Sequence, residues 1–243
     1  MPQGAVAGGI AVVIDVLRAS TTIATALANG AAGIRPVTDV DAARTLAAEL
    51  GPAALLGGER GGVRIAGFDL GNSPLEYSRD RVAGRPIVVT TTNGTAAIAA
   101  CSEAREVLVA AVVNRSAAAA LARSLAVRHG GVDIHLVCAG TDGAPTEEDV
   151  LAAGAILDAA ARLPGAEADA VDVAGIDALA GYRAAVTAGP TARDAVARAF
   201  AGSRGGRNLL DLGMDPDLSA AAAVDSLAVV PRLDRATGVL HAA

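Results

Sequence analysis

Tryptophan is absent from this 243-residue chain, and Phe and Tyr supply two residues each. So few aromatic rings exclude the stacking platforms on which proteins hold exposed nucleobases. The core must instead be Ala, Val, Leu and Ile, with close helix contacts through Ala and Gly. Cysteine is nearly as scarce. Cys101 and Cys138 lie far apart, with neither zinc spacing nor a disulfide framework, so a reducing cytoplasm is the expected compartment. The histidines, His129, His135 and His241, show no metal spacing and read as structural. Basic charge is in deficit: the formal net charge is −6 and the sequence pI about 5.0. No basic stripe is present, which argues against nucleic acid as a partner. An acidic chain that binds an anion must do so locally, through a few Arg side chains, backbone N–H groups or a metal. Long apolar runs are missing too. Ala117–Ala122 is cut off by Arg123 and is too short to span a bilayer. The stretch from Met1 to Ile10 has no Lys or Arg, hence no basic region of a secretory signal.

What is present is a chain that is 52% hydrophobic and 19% charged, a balance that supports a sizeable core and not disorder. Strand and helix patterns alternate. Ala11–Val16 reads as a buried strand, and Ser20 or Thr21 as the cap of a helix to about Asn29, stopped at Gly30. Ile34–Val37 is a short strand; Thr38 and Asp39 cap a helix to about Leu50. Ala54–Leu56 is a strand, and Gly57–Gly84 reads as a long segment without periodicity, of the kind that often carries function. Pro86–Thr91 and Val107–Val113 read as strands around a helix at Thr95–Cys101. A helix from Asn114 or Ser116 to about Arg128, a strand at Val132–Val137 and a helix from Thr146 to about Arg162 follow. Thr146 with Asp149 forms a variant capping box. Residues 168–201 are helical by pattern, broken at Gly189–Pro190. After a Gly-rich stretch at Gly202–Asn208 come a short helix near Leu218–Val224 and a strand at Leu227–Val230. The alternation predicts a three-layer α/β fold: a mixed, mainly parallel sheet flanked by helices. Residues 1–165 form the α/β region and residues 166–243 a mainly helical region packing on the same sheet. The Ala-rich apolar surface is compatible with a homo-oligomer.

Five segments carry groups suited to chemistry. In Asp15-Val-Leu-Arg-Ala-Ser-Thr-Thr22, Asp15 ends a buried strand and Arg18 lies in the turn, at the edge where open α/β sheets bind ligands. The carboxylate can hold Mg²⁺ or act as nucleophile, Arg18 can fork onto phosphate or sulfonate oxygens, and Ser20 and Thr21 flank the helix start. An internal Asp15–Arg18 pair is the plain alternative. In Gly57-Gly-Glu-Arg-Gly-Gly62, Glu59 can ligate metal or move a proton and Arg60 can bind an anion; a surface turn with a solvated ion pair is the alternative. Asp69 and Asn72 in Gly67–Pro74 can supply oxygen ligands, or simply form a turn. In Thr90-Thr-Thr-Asn-Gly-Thr95, the side chains of Thr91, Thr92, Asn93 and Thr95 gather with Gly94 where a strand enters a helix, a natural anion site. It is not a Walker loop, since Lys is absent. Cys138 follows a strand. A cysteine-based phosphate loop would need Arg at the position of Ala144, so Cys138 reads as filler beside the site, with Glu148 and Asp149 as acids at the next helix start.

Together, Val13–Thr22, Gly57–Gly62, Gly67–Glu76, Thr90–Thr95 and Val137–Gly140 resemble the motifs of the 2-phosphosulfolactate phosphatase family, in the same order and at similar spacing, most strongly over residues 11–155. The resemblance implies a magnesium-dependent phosphatase that releases phosphate from 2-phospho-3-sulfolactate, a step toward coenzyme M. Read together, the five segments make Asp15, Arg18, Glu59 and Arg60 the candidate catalytic residues. Ser20, Thr21, Asn72, Thr91, Thr92, Asn93, Gly94, Thr95 and Cys138 would line the substrate, and Asp15 with one or both of Glu59 and Asp69 would bind Mg²⁺. Departures are visible: less chain precedes the first motif than family members carry, an expected His-Gly pair reads Gly205-Gly206, and an expected Cys is replaced within Ala220–Ala223. A different organic acid phosphate as substrate, and a non-catalytic binder of small dianions, are the rival readings.

Overall fold

The computed structural model describes residues 4–243; the first three residues, part of the Met1–Ile10 stretch read above, lie outside it. The chain opens with β1 (Ile10–Ile14), whose side chains are all buried, and α1 (Ala19–Ala28). β2 (Gly33–Pro36), α2 (Val40–Leu50), β3 (Leu55–Arg60) and the two-residue β4 (Val63–Arg64) follow. The short α3 (Arg79–Val82) leads to β5 (Pro86–Thr90), α4 (Gly94–Ala100), β6 (Glu106–Val109) and α5 (Arg115–Arg128). β7 (Ile134–Cys138) and α6 (Glu147–Ala160) precede four further helices: α7 (Val173–Thr187), α8 (Ala192–Gly202), α9 (Arg204–Asp211) and α10 (Asp215–Ala221). The hairpin β8 (Pro231–Asp234) and β9 (Val239–Ala242) ends the chain.

The nine strands form one sheet in the order β4-β3-β5-β2-β9-β8-β6-β1-β7. β3, β5 and β2 are parallel to one another, and so are β6, β1 and β7. The terminal hairpin lies between these blocks and pairs antiparallel with both, β9 with β2 and β8 with β6. Three antiparallel steps make the two parallel blocks run in opposite senses. The sheet is thus mixed, as expected, with its reversal built by the last strands of the chain.

Alternation along β1 separates the layers, because successive strand side chains point to opposite faces. Ala11 and Val13 pack with α1 and α4 through Ile23, Ala26, Leu27 and Ile98. Ile10, Val12 and Ile14 face α5, α6 and the helices beyond. A third cluster seats Ala43 and Ala47 of α2 on Val88 and Phe68. This is the three-layer α/β arrangement the pattern predicts.

Several local expectations are corrected. The N-cap of α1 is Arg18, without a side-chain bond, and Ser20 and Thr21 lie inside the helix. Ser20 turns back to accept from Asp15 N, 2.9 Å away, and Thr21 Oγ1 donates to Val16 O. Gly57–Arg60 extends β3 and is not a loop. β6 ends at Val109, and Val112–Asn114 is a 3₁₀ turn. Thr146 makes no side-chain cap at α6, and the Asp149 carboxylate accepts from Val16 N and Gly140 N and not from the helix start. The Gly-rich Gly202–Asn208 stretch supplies most of α9, held by Ser203 Oγ accepting from Gly206 N. The strand expected at Leu227–Val230 is irregular, and the hairpin lies beyond it. No helix among the described residues is long and apolar enough to cross a membrane.

Candidate functional site

The turn after β1, the end of β3, the β5–α4 turn, the loop after β7 and α6, α9 and α10 are tied together by polar bonds. Asp15 is the centre. Its Oδ1 accepts from Ala19 N at the start of α1, and its Oδ2 lies beside Gly94 at the start of α4: a methyl group on Gly94 would sit 2.6 Å from it. Two helix N-termini therefore meet on one carboxylate, where their positive ends favour negative charge. Burial opposes that charge more strongly, and with Glu59 and Glu148 nearby it pushes the Asp15 carboxyl up to about 6.

Glu59 is buried and clamps the neighbouring loops. Oε1 accepts from Thr92 N at 2.7 Å, and Oε2 from Gly62 N at 2.7 Å and Thr92 Oγ1 at 3.2 Å. Arg18 completes the circuit, since Nη2 donates to Gly62 O at 2.6 Å. The chain Arg18–Gly62–Glu59–Thr92 brings three of the sequence motifs to one place. On the other flank Asp149 Oδ1 accepts from Val16 N and Oδ2 from Gly140 N, joining the loops after β1 and β7. Burial and the Asp15 carboxylate push Asp149 up to about 8. Glu148 Oε1 accepts from Gly205 N of α9, whereas its Oε2 is buried without a partner.

Among the remaining residues singled out in the sequence, Thr91 and Thr95 bond each other around the start of α4. Thr92 is exposed and Asn93 half-buried, with its amide 3.5 Å from Thr141 Oγ1. Asn72 is buried with its Oδ1 unpartnered, while its carbonyl accepts from Thr22 Oγ1. Cys138 lies beside Asp149; burial, then that carboxylate, push its thiol up to about 12 and keep it neutral. Arg60 turns outward from the cluster to Glu59 O, Thr38 O and Thr90 Oγ1. Asp69 is exposed, its Oδ2 accepting from Leu56 N. Asp217 of α10 carried no sequence signal, yet it pairs with Arg18 at 2.7 Å and lies as deeply buried. The cleft of about 500 Å³ lined by Arg105, Arg232, Arg235 and His241 shares no residue with this cluster.

Comparison with known proteins decides what family this architecture serves. The family model described as 2-phosphosulpholactate phosphatase matches residues 1–236. The chain belongs to the 2-phosphosulpholactate phosphatase family. Relatives named "Probable 2-phosphosulfolactate phosphatase" are 43% identical in Synechococcus sp. (strain RCC307), over 95% of this chain and 91% of the relative, and 42% identical in Symbiobacterium thermophilum, over 95% and 93%. A third, in Deinococcus radiodurans, is 42% identical over 92% and 87%. The similarity to these 2-phosphosulfolactate phosphatase relatives reaches beyond the motif-bearing residues 11–155 into the helices that carry Gly205 and Asp217.

The family resemblance implies magnesium, and the donor chemistry can be tested against it. Among the described residues, no three His, Cys, Asp or Glu side chains converge as a ready metal cage. Both Glu59 oxygens are occupied, and Asp69 is held at the start of β3. The orphaned Glu148 Oε2 and the recessed Asp15 carboxylate, which interact electrostatically, are hard oxygen donors in a desolvated site. Magnesium commonly takes one or two carboxylates, several waters and substrate phosphate oxygens, and the donor chemistry of Asp15 and Glu148 is compatible with it.

Proposed function

We propose that this protein is a magnesium-dependent phosphoric monoester hydrolase acting on 2-phosphosulfolactate or a closely related organic acid phosphate. One observation carries the metal requirement. Asp15, Glu59, Glu148 and Asp149 crowd one recess, while Arg18 is already paired to Asp217. A bound cation would offset the negative charge of this cluster and favour entry of a phosphate dianion. The substrate assignment rests on the names of the relatives.

In this reading Asp15 and Glu148 hold the ion. When bound, it supplies Lewis-acid polarisation of the phosphoryl oxygens and charge neutralisation. Arg18 keeps Nε and one Nη2 hydrogen without a partner among the described residues, and these donate to phosphate oxygens as negative charge builds. Asp15 either attacks phosphorus, breaking the P–O bond to the substrate oxygen, which leaves as the alcohol with a proton from water, and the resulting acyl-phosphate is hydrolysed by a second water to phosphate and free Asp15, or it orients the water that displaces the same oxygen directly. Glu59 and Asp149 keep the surrounding loops in register. Cys138, neutral, forms part of the wall.

Phosphate release from 2-phosphosulfolactate, phosphoglycolate and phosphoglycerate, with Mg²⁺ and after complete chelation, tests the proposal. Release that requires Mg²⁺ and favours 2-phosphosulfolactate supports it. Undiminished release after chelation overturns the metal role, and tight substrate binding without release supports a non-catalytic dianion binder.

A further inference from the structure

We infer that Asp217 is the positioning residue of the phosphate-binding arginine, so that the C-terminal helix α10 completes the anion side of the site. The inference rests on the reading of Arg18 as a phosphate ligand. It arises from a carboxylate whose two oxygens serve two distant segments. Oδ2 accepts from Arg18 Nη1 at 2.7 Å, and Oδ1 accepts from Ser73 Oγ at 2.6 Å. Asp217 and Arg18 are each 3% exposed at the side chain, so both charges are largely desolvated and each stabilises the other. Met214, at the foot of the same helix, also receives an Arg18 Nη1 hydrogen on its sulfur.

The geometry restricts what Arg18 can do. Nη1 donates toward α10, to Asp217 and Met214, and Nη2 donates to Gly62 O. The planar guanidinium is thereby fixed in orientation, and the remaining N–H groups, on Nε and Nη2, form the side on which an oxyanion can fork. Through Ser73 the same carboxylate fixes the residue next to Asn72, whose buried carboxamide oxygen has no protein partner. One acid thus aligns two groups that carry unused hydrogen-bonding capacity.

A double-mutant cycle separates positioning from general stability. Wild type, Asp217→Asn, Arg18→Ala and the double variant are compared for kcat/KM with 2-phosphosulfolactate and for the Kd of inorganic phosphate in Mg²⁺, with folding checked by circular dichroism. The inference predicts that Asp217→Asn lowers kcat/KM and weakens phosphate binding by about 10- to 100-fold, the range for removing a group that orients a ligand. With Arg18 already replaced, the same change costs less than about two-fold, because the group it acted through is gone. Equal losses in both backgrounds, or no loss in either, overturn it. If Asp217→Asn fails to fold, Asp217→Glu takes its place; it keeps the charge but displaces it, and the same dependence on Arg18 is expected. If the wild type turns over no substrate, the proposed activity fails, while the phosphate Kd still decides the role of Asp217. Wild type that binds no phosphate contradicts the inference outright.

Discussion

Asp15 and Gly94 touch across the mouth of the sheet: the carboxylate Oδ2 occupies the space a β-carbon on residue 94 would need, at 2.6 Å, with Ala19 Cβ equally close. The glycine lets the start of α4 approach the carboxylate that ends β1. Gly94→Ala is expected to push Asp15 aside, lowering kcat/KM by about ten-fold or more, since small displacements of reacting groups are costly. It should destabilise the fold by about 1–3 kcal/mol through overpacking. Steady-state kinetics and urea unfolding of the same variant measure both.

The acids near Asp15 should separate by function. Glu148→Gln is expected to weaken Mg²⁺ activation by about 10- to 100-fold. Asp69→Asn, at an exposed position away from the cluster's bonds, should leave the Mg²⁺ dependence within about two-fold of wild type, as exposed substitutions generally do. Activity titrated against Mg²⁺ for each variant is the measurement. A larger shift for Asp69→Asn than for Glu148→Gln would restore the metal set read from the sequence.

The pH dependence has a definite sign. Asp15 rises from 3.8 to about 6 and Asp149 from 3.8 to about 8 on folding. The metal-free native state therefore binds more protons than the unfolded chain. The stability these carboxyls contribute is present in full below their unfolded values near pH 4 and is lost as pH climbs through about 6 and then about 8. The metal-free protein should melt at lower temperature at pH 8 than at pH 5.5. Mg²⁺ should reverse most of that loss, and its binding should release protons, as bound cations favour the ionised form. Thermal melts across this range with and without Mg²⁺, and calorimetry in buffers of different protonation enthalpy, read out both effects.

The hairpin that joins the two halves of the sheet is held by Glu106, which accepts Arg232 Nε at 2.9 Å and Nη2 at 2.8 Å and lies 3.2 Å from His129 Nε2. Burial acts to raise the Glu106 carboxyl, but the bonds from Arg232 and His129 prevail and hold it below its ordinary value. Its contribution is present above the unfolded value and lost as pH falls through the lower folded one. Glu106→Gln should cost about 1.5–3 kcal/mol, the range for hydrogen bonds to charged groups. The unfolding free energy at pH 7 should show this loss, and the gap to wild type should narrow in acid.

Much of the fold was legible because its strands are short β-branched runs bounded by caps. Asp39 does cap α2, accepting from Ala42 N. The terminal hairpin was hidden because Pro231, Arg232 and Asp234 break its apolar alternation. Its pairing with β6 and β2 is a long-range contact that no local pattern encodes. α9 was hidden because Gly205 and Gly206 are poor helix formers, and the Ser203 cap with Glu147 and Glu148 accepting from Arg204 N and Gly205 N holds them. At the site, spacing marked the loops that meet, and the structure joins Arg18 to Thr92 through Gly62 and Glu59. What spacing could not show is which oxygens remain open. Glu59, at the end of β3, and Glu148, at the start of α6, are both buried acids, and only packing distinguishes the saturated one from the orphan. Asp217 stands 199 residues from its partner Arg18, in a short helix without a motif.

The most direct test of the account is the binding of Mn²⁺, a paramagnetic stand-in for Mg²⁺, followed by electron paramagnetic resonance in wild type, Asp15→Asn and Glu148→Gln. The account predicts a divalent site in the wild type that is weakened by at least about ten-fold in both variants, with all three proteins folded. Equal Mn²⁺ affinity in the three proteins, or no binding by the wild type, would contradict it.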